Sequence, residues 1–212
     1  MMHDEDLKAV SVGFTGDVDL VMSAYRAGLF PMGLGDDGGP PMGWWAPAVR
    51  GVLLPGELRA SRSLRRAMQH FTITVDQSFA EVVDGCADPS REGAWITDAF
   101  AGMYGDLHAA GWAHSIEVRD AEQNLVGGLF GIAFGAVFIG ESMFHTRTDA
   151  SKAALVHLVG MLDAACGDRW MIDVQWATPH LRSLGVSELT GLDYIDRLHR
   201  AEGARDSEAF FS

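Results

Sequence analysis

The chain has 212 residues, of which 48% are hydrophobic, and its formal net charge is −13 at pH 7. This length and apolar content suit one large domain, or one domain with a small appendage, and they supply enough residues for a buried core. So acidic a chain argues against broad, nonspecific binding of nucleic acid, although a local basic patch stays possible.

Helix and strand patterns alternate along most of the chain. In order, they predict a helix at 15–29, a strand at 50–54, a helix at 60–71, a strand at 71–76, helices at 78–86 and 97–110, a strand at 113–120, two strands within 125–140, a helix at 150–166, a strand at 170–177 and a helix at 192–200. Thr15 or Asp17 can cap the first helix, and Ser78 with Glu81 has the spacing of a capping box. The pattern predicts an α/β fold (mixed α+β) in which helices pack on a mixed sheet.

A loop rich in Gly, Pro and Asp at 33–43 is the clearest linker in the sequence. We therefore place a domain boundary near residue 48. This divides the chain into a small N-terminal domain, residues 1–48, and a larger domain, residues 49–212.

Neither the start of the chain nor its apolar run has the pattern of an export signal or a membrane span. The first residues, MMHDEDLKAV, are acidic where a signal peptide would be basic. Residues 125–140 are fewer than the roughly 20 that a spanning helix needs, and five glycines weaken a helix there. Cys86 and Cys166 lie in no metal-binding or redox spacing, so we expect reduced thiols and a cytoplasmic protein without a membrane segment.

The apolar run ends abruptly at a carboxylate, Glu141. A carboxylate at the end of a buried strand is costly unless it has a partner. One interpretation is that Glu141 binds an ammonium group at the wall of a pocket, with Phe138 and Met143 as apolar neighbours. The other is a strand-end glutamate that reaches solvent.

The residues around Ser142 allow a second chemistry. The segment GESMF differs from the nucleophile-elbow pattern G-x-S-x-G only by Phe144 in place of the last glycine. Ser142 would then be a nucleophile with His180 or His145 as its base. The missing glycine argues against this, because the elbow needs close contact between a strand and a helix.

Asp173 and Gln175 lie two residues apart on a predicted strand, so both are expected on one face. Ile172, Val174 and Trp176 are expected on the other face. Two polar groups on an interior strand need either solvent or each other. They are either a carboxylate that orients an amide handling a substrate, or a structural pair joined by hydrogen bonds.

Three arginines, Arg62, Arg65 and Arg66, fall at positions i, i+3 and i+4 of one predicted helix, and Arg59 precedes it. In so acidic a chain this cluster is a candidate phosphate-binding face, although it also fits a solvated helix surface. The eight histidines show no H-E-x-x-H or comparable spacing, so no metal site is expected.

Taken together, many segments resemble one family, the leucyl/phenylalanyl-tRNA–protein transferases. They run in the family's order from about residue 13 to residue 200. The combination of GAWIT, HSIEV, GESMF and SLG at these separations is highly specific. The matching segments are AYRAGLFPM, GWWAPAVRGVL, SRSLRR, DGCADPSREGAWIT, AGWAHSIEV, LVGGLFGIAFGAVFIGESMF, ASKAAL, IDVQ and HLRSLG.

The resemblance implies a small N-terminal domain followed by a GNAT-like acyltransferase domain. It implies transfer of Leu, Phe or Met from aminoacyl-tRNA to the free amino terminus of a protein that begins with Arg or Lys, which marks that protein for N-end-rule degradation. No cofactor is implied, and a Q/R-x-x-G-x-G loop for acetyl-CoA is absent from the sequence. We expect a monomer.

The resemblance also assigns site residues. Asp173 and Gln175 match the family's catalytic pair. Glu141 matches the glutamate at the aminoacyl group, and Trp95 matches an aromatic residue that contacts the aminoacyl-adenosine end. The basic helix becomes a candidate tRNA-binding face. Six apolar residues match the side-chain pocket, namely Leu129, Phe138, Met143, Leu155, Leu158 and Ile172.

The chain departs from the family pattern at four places. Met32 stands where Trp is usual after FP, so stacking on the terminal adenine is weaker or comes from elsewhere. Val174 replaces a cysteine between the catalytic pair, so no cysteine can be the nucleophile there. Gln69 and His70 replace more basic residues and so reduce the positive charge of the candidate tRNA-binding patch. Residues 188–191 read ELTG instead of EIPR, with no evident consequence.

Three alternatives stay open beside the aminoacyltransferase. They are a GNAT-type N-acetyltransferase using acetyl-CoA, a serine hydrolase built on Ser142, and a tRNA-binding module without catalysis.

Overall fold

The structure is a computed structural model that describes residues 4–11, 17–35, 38–91 and 95–204. Its N-terminal part contains three strands, β1 (Leu7–Ser11), β2 (Phe30–Gly33) and β3 (Met42–Trp45), and one α-helix among the described residues, α1 (Val18–Arg26). The three strands form an antiparallel sheet in the order β1-β3-β2.

The predicted first helix is confirmed, although it is shorter than expected. Asp17 caps it, because the Leu20 backbone N–H donates to the Asp17 side chain at 3.1 Å, whereas Thr15 lies outside the described residues. The expected linker at 33–43 mostly forms the connection between β2 and β3, inside the N-terminal sheet. The proposed boundary at residue 48 falls in the next connection and stays a prediction.

The rest of the chain builds a larger layer of strands and helices. In chain order these are β4 (Val49–Leu53), α2 (Arg62–Ala67), β5 (Thr72–Val75), α3 (Phe79–Ala87), α4 (Asp98–Ala109), β6 (Ala113–Arg119), β7 (Leu125–Phe134), β8 (Val137–His145), α5 (Ala150–Cys166), β9 (Met171–Gln175), α6 (Pro179–Ser183), β10 (Ser187–Thr190) and α7 (Gly191–Glu202). The seven strands form one sheet in the order β10-β4-β9-β8-β7-β6-β5. β8 and β9 run parallel and the other neighbours antiparallel, which confirms the mixed α/β class with a mixed sheet.

The apolar run at 125–140 forms the antiparallel pair β7 and β8, as expected. Gly135, at φ +56°, makes the turn between the two strands. Helix α5 covers this pair on one side, and its bounds agree with the predicted helix at 150–166. In the described part of the chain, no helix combines the length and apolar character that crossing a membrane requires.

The predicted capping box at the start of α3 is wrong. The Ser78 side chain makes no capping hydrogen bond and instead accepts one from Arg119 at 2.7 Å. The same guanidinium lies 3.6 Å from the Glu81 carboxylate. An arginine from the neighbouring strand thus engages both side chains that would otherwise cap the helix.

Two glycines give a matched test of this packing. Gly131 lies at the irregular register between β7 and β8, where an added Cβ would overlap the Ile139 carbonyl oxygen. Gly160 is exposed on α5 with open space beside it. We expect Gly131→Ala to lower the free energy of unfolding by roughly 1–3 kcal/mol or more, because the backbone must move. Gly160→Ala should raise it by about 0.5–1 kcal/mol.

Urea unfolding of both variants measures the difference. Equal effects of the two substitutions would show that the approach of β7 to β8 is not as close as described.

Candidate active site

A cavity of about 150 Å³ opens between the sheet and helices α5 and α6. Its walls come from β7, β8, β9 and both helices. The strand registers explain why distant residues meet there, since Leu129 lies opposite Met143 and Phe138 lies beside Ile172. The lining residues are Leu129, Phe138, Gly140, Glu141, Ser142, Met143, Leu155, Leu158, Ile172, Val174, Gln175 and Leu181.

All six apolar residues assigned to a side-chain pocket by resemblance line this one cavity, together with Glu141 and Gln175. The cavity is also lined by four residues that the resemblance did not assign to it, namely Gly140, Ser142, Val174 and Leu181. Val174 was expected on the other face of its strand from Gln175, and Leu181 lies on the short helix α6, for which no element was predicted.

Glu141 is buried, with 9% of its surface exposed, so the interpretation as a glutamate reaching solvent is wrong. The Tyr104 hydroxyl donates to Oε2 at 2.7 Å. The other carboxylate oxygen, Oε1, is buried and has no hydrogen-bond partner among the described residues. Burial raises the pKa of Glu141 to about 7, although the Tyr104 hydrogen bond opposes this shift.

Two tyrosines surround this carboxylate. Burial first, and then the charge of Glu141, hold the pKa of Tyr25 and of Tyr104 above the usual value, so both hydroxyls keep their protons. The Tyr25 hydroxyl is close enough to influence Glu141 but makes no hydrogen bond of good geometry within the described residues. Glu141 thus brings a buried carboxylate to the cavity wall, and the hydroxyl groups of Tyr25 and Tyr104, which do not line the cavity, lie near it.

Asp173 is fully buried and makes several strong interactions. Arg50 approaches it with Nε at 3.0 Å and Nη2 at 2.8 Å, and the Tyr194 hydroxyl donates at 2.7 Å. The Gln175 backbone N–H also donates to Asp173, at 2.8 Å. Asp173 does not line the cavity, so its carboxylate acts on the cavity only through the residues that it holds.

Arg50 connects this carboxylate to the N-terminal part of the chain. Its Nη1 donates to the Gly28 carbonyl at 3.0 Å. The guanidinium also lies over the rings of Phe30 and Tyr194, at 4.6 and 4.8 Å from the centroids. A single buried arginine thus ties the small sheet, strand β9 and helix α7 together.

The expectation that Asp173 and Gln175 share one face is wrong. Gln175 has a left-handed backbone with φ +58°, which interrupts the alternation of a regular strand. Gln175 therefore lines the cavity together with Ile172 and Val174, whereas Asp173 does not. With its amide oriented to suit its surroundings, Gln175 donates to the carbonyls of Gly140 and Val174 at 3.2 and 3.3 Å.

Trp95 does not line the cavity. It is half-buried, and its ring packs edge-on against Phe100 and Tyr104, with centroids 5.0 and 6.4 Å away. Since Tyr104 holds Glu141, one ring separates Trp95 from the carboxylate. A contact between Trp95 and an adenosine stays a prediction.

The serine-hydrolase hypothesis does not fit the geometry. Ser142 lies within β8, opposite Phe130 on β7, and not at a sharp turn from strand to helix. His145, one proposed base, is paired with Ser151 at 3.3 Å. His180, the other, is exposed on α6.

The three arginines of the basic helix are exposed on α2. Ser61 caps this helix by accepting from the Leu64 N–H at 3.1 Å, and Leu64 is buried. Within the described ranges, no group of three or more His, Cys, Asp or Glu residues is arranged to hold a metal ion.

Comparison with known proteins gives a consistent result. The family model described as leucyl/phenylalanyl-tRNA protein transferase matches residues 52–199, and the model of its N-terminal domain matches residues 16–48. A leucyl/phenylalanyl-tRNA–protein transferase of Shewanella sediminis is 46% identical over 184 residues, which cover 85% of this chain and 75% of the relative. Those of Chromohalobacter salexigens and Gluconobacter oxydans are 49% and 42% identical; the matches cover 82% and 86% of this chain and 68% and 81% of the relatives.

Solved structures are more distant. FemX is 10% identical with a TM-score of 0.48, and the match covers 81% of this chain and 66% of FemX. A GCN5-related N-acetyltransferase from Kribbella flavida is 13% identical with a TM-score of 0.38, and the match covers 66% of this chain and 53% of that protein.

Proposed function

Since the chain belongs to the leucyl/phenylalanyl-tRNA protein transferase family of aminoacyltransferases, we propose that its cavity binds the amino-acid end of Leu-, Phe- or Met-tRNA. The amino acid would then be transferred to proteins beginning with Arg or Lys. The product would carry a new N-terminal residue that marks it for N-end-rule degradation. The observation that carries the proposal is an apolar cavity lined by Glu141, whose buried Oε1 has no hydrogen-bond partner among the residues that the structure describes.

The size and lining of the cavity suit such a donor. An apolar cavity of about 150 Å³ in another protein binds benzene. The cavity described here has about the same volume, so it can take a leucyl or benzyl side chain. Because its apolar walls recognise shape alone, we expect preference for side chains unbranched at Cβ, with finite discrimination against Ile and Val.

Glu141 would bind the ammonium group of the aminoacyl ester. A buried carboxylate is stabilised by an opposite charge that also donates hydrogen bonds. Oε1, which has no hydrogen-bond partner in the described part of the chain, would make that contact, while Tyr104 holds Oε2 in place. Only a charged tRNA presents the ammonium group, so this contact would distinguish charged from uncharged tRNA.

The transfer itself needs little acid–base chemistry. The α-amine of an acceptor has an unperturbed pKa of about 7.7–8, so a usable fraction is neutral at pH 7. Its nitrogen forms a bond to the ester carbonyl carbon, the bond from that carbon to the ribose 3′-oxygen breaks, and the 3′-oxygen gains the proton that the nitrogen loses. The protein then contributes mainly positioning and stabilisation of the oxyanion.

Gln175 and Asp173 take different roles in this proposal. Gln175 lines the cavity and would contact the reacting carbonyl or amine. Asp173 is buried away from the cavity, so we assign it a positioning role through its bond to the Gln175 N–H. Its charge would still favour the positive charge that develops on the attacking amine.

A transfer assay tests the proposed function. The protein is incubated with radiolabelled Leu-tRNA and a peptide beginning with Arg, with the N-acetylated peptide as matched control. Label should appear on the free peptide alone. Absence of transfer from both Leu-tRNA and Phe-tRNA would overturn the proposal, and acetylation of the same peptide by acetyl-CoA would favour the GNAT alternative.

The basic helix gives a further prediction. We expect Arg62, Arg65 and Arg66 to contact the tRNA backbone, because all three are exposed on one helix of an acidic chain. Each phosphate neutralised contributes roughly 0.7–0.9 to the log–log salt slope of binding, so replacing all three by Ala should flatten the slope by about two to three. Filter binding of tRNA at several salt concentrations measures it.

Two controls separate docking from damage to the site. Arg200→Ala removes an exposed arginine on α7 and should leave the slope unchanged. Transfer from a minimal aminoacyl-adenosine donor should hardly change in the triple variant, because that fragment has no tRNA backbone. Equal losses with both donors would contradict a role in tRNA binding.

A further inference from the structure

We infer that Leu181 is a specificity-determining residue, which closes the mouth of the cavity and selects the donor side chain by its size. The inference rests on the proposed function, since it names the residue that would set the choice between leucyl and larger donors. Leu181 was not among the residues that the sequence or the resemblance assigned to the pocket. It is the lining residue that α6 contributes.

The exposure of the lining residues places Leu181 at the open side. Phe138, Leu158 and Ile172 are at most 1% exposed and form the floor of the cavity. Leu181 is half-buried, so part of its side chain faces solvent. Four lining residues of β8 and β9 are half-buried as well, namely Gly140, Ser142, Met143 and Val174. The lining residues from helix α5 are buried, so Leu181 is the helical residue at the open side, where an entering donor side chain would contact it.

Helix α6 has a fixed position although it has only five residues. Thr178 caps it by accepting from the Leu181 N–H at 3.2 Å. The carbonyl of Leu181 accepts from the N–H groups of Leu184 and Val186, at 3.0 and 3.1 Å. Leu181 is therefore held by its own backbone as well as by packing.

The chain before the basic helix fixes the other end of α6. The Arg59 N–H donates to the Leu184 carbonyl at 2.8 Å, and the Ser187 hydroxyl donates to Glu57 at 3.0 Å. Gly185 follows with φ +107°, where any side chain would overlap the Glu57 carbonyl. A wall fixed in this way selects by shape, because it cannot move aside at low cost for a larger ligand.

The size of one wall residue sets a measurable preference. A single methylene changes discrimination in an apolar pocket by about 10–200-fold. Leu181→Ala removes bulk from the mouth and should raise the ratio of kcat/KM for Phe-tRNA over Leu-tRNA by about tenfold. Leu181→Phe adds bulk and should lower the same ratio by about tenfold.

The experiment measures the preference of each variant for phenylalanine over leucine in two arms. The first arm gives the ratio of kcat/KM values in transfer kinetics, and the second gives the ratio of affinities for phenylalaninamide and leucinamide by calorimetry. These amides carry the side chain and the ammonium group without tRNA or a reactive ester. Leu125→Ala is the matched control, a half-buried leucine at the start of β7 that does not line the cavity, and it should change neither ratio. Thermal unfolding shows that each variant is folded.

Opposite shifts with the two Leu181 variants support the inference, because general damage would not reverse direction with side-chain size. Ratios that stay at the wild-type value in both arms overturn it. If wild-type protein transfers neither amino acid but the amide-binding ratios shift as expected, the proposed function fails while Leu181 still selects the ligand.

Discussion

Removal of the Asp173 carboxylate is expected to lower the free energy of unfolding by about 3–5 kcal/mol, because it leaves a buried cation without its partner. In Asp173→Ala, Arg50 would stay buried with the Gly28 carbonyl as its one remaining acceptor among the described residues, and the Tyr194 hydroxyl would lose the carboxylate to which it donates. Chemical denaturation measures this loss. Gln175→Ala is the contrasting change, and we expect it to lower kcat of transfer strongly with a much smaller effect on stability.

A double change separates charge from geometry. Arg50→Met combined with Asp173→Leu removes both charges, and buried ion pairs replaced by apolar residues often lose little stability. We expect the double variant to be more stable than Asp173→Ala, while its transfer rate stays low because nothing holds the Gln175 N–H. If the double variant is as unstable as Asp173→Ala, the hydrogen-bond geometry of Arg50 and Asp173 stabilises the fold, and the balance of their charges does not.

Replacement of Glu141 by glutamine should stabilise the protein above pH 7 and weaken its use of charged tRNA. The pKa of Glu141 is raised from 4.5 to about 7, so the unfolded chain releases this proton at lower pH than the folded chain. The free energy of unfolding of the wild type therefore falls as pH rises from about 4.5 to 7, and this loss is complete above pH 7. A shift of this size corresponds to about 3 kcal/mol.

Glutamine carries no charge at any of these pH values and can still accept from Tyr104. Denaturation at pH 4 and pH 8 should show nearly equal stabilities at the lower pH and a more stable Glu141→Gln variant at the higher pH. Glu122→Gln, at an exposed surface position, should show no such difference. An unchanged stability profile in the Glu141 variant would mean that the carboxylate is not desolvated.

The functional half of this prediction uses two tRNA forms. Binding of aminoacyl-tRNA should weaken in Glu141→Gln, while uncharged tRNA should bind as before, because it lacks the ammonium group. If both forms lose affinity equally, Glu141 supports the fold and does not bind the donor.

Much of the architecture follows from local pattern. Helix α5 was predictable within its observed bounds, because its apolar residues recur over 17 positions. The pair β7 and β8 was predictable from an apolar run too short and too rich in glycine for a membrane helix. The strands of the N-terminal sheet were missed, because they have four or five residues each and one contains Pro31, which gives no clear alternation.

Local pattern predicts the fold class, because periodicity is a local property. The resemblance assigns six apolar residues of the cavity and the carboxylate of Glu141 among them, because the family's segments are nearly continuous here. Which groups these residues meet depends on the tertiary structure. Arg50 and Asp173 are separated by 123 residues, and Tyr104 and Glu141 by 37, so no local pattern pairs them. The left-handed backbone of Gln175 and the contribution of Leu181 likewise depend on long-range packing, which overrides the strand alternation and fixes a helix too short to have a period of its own.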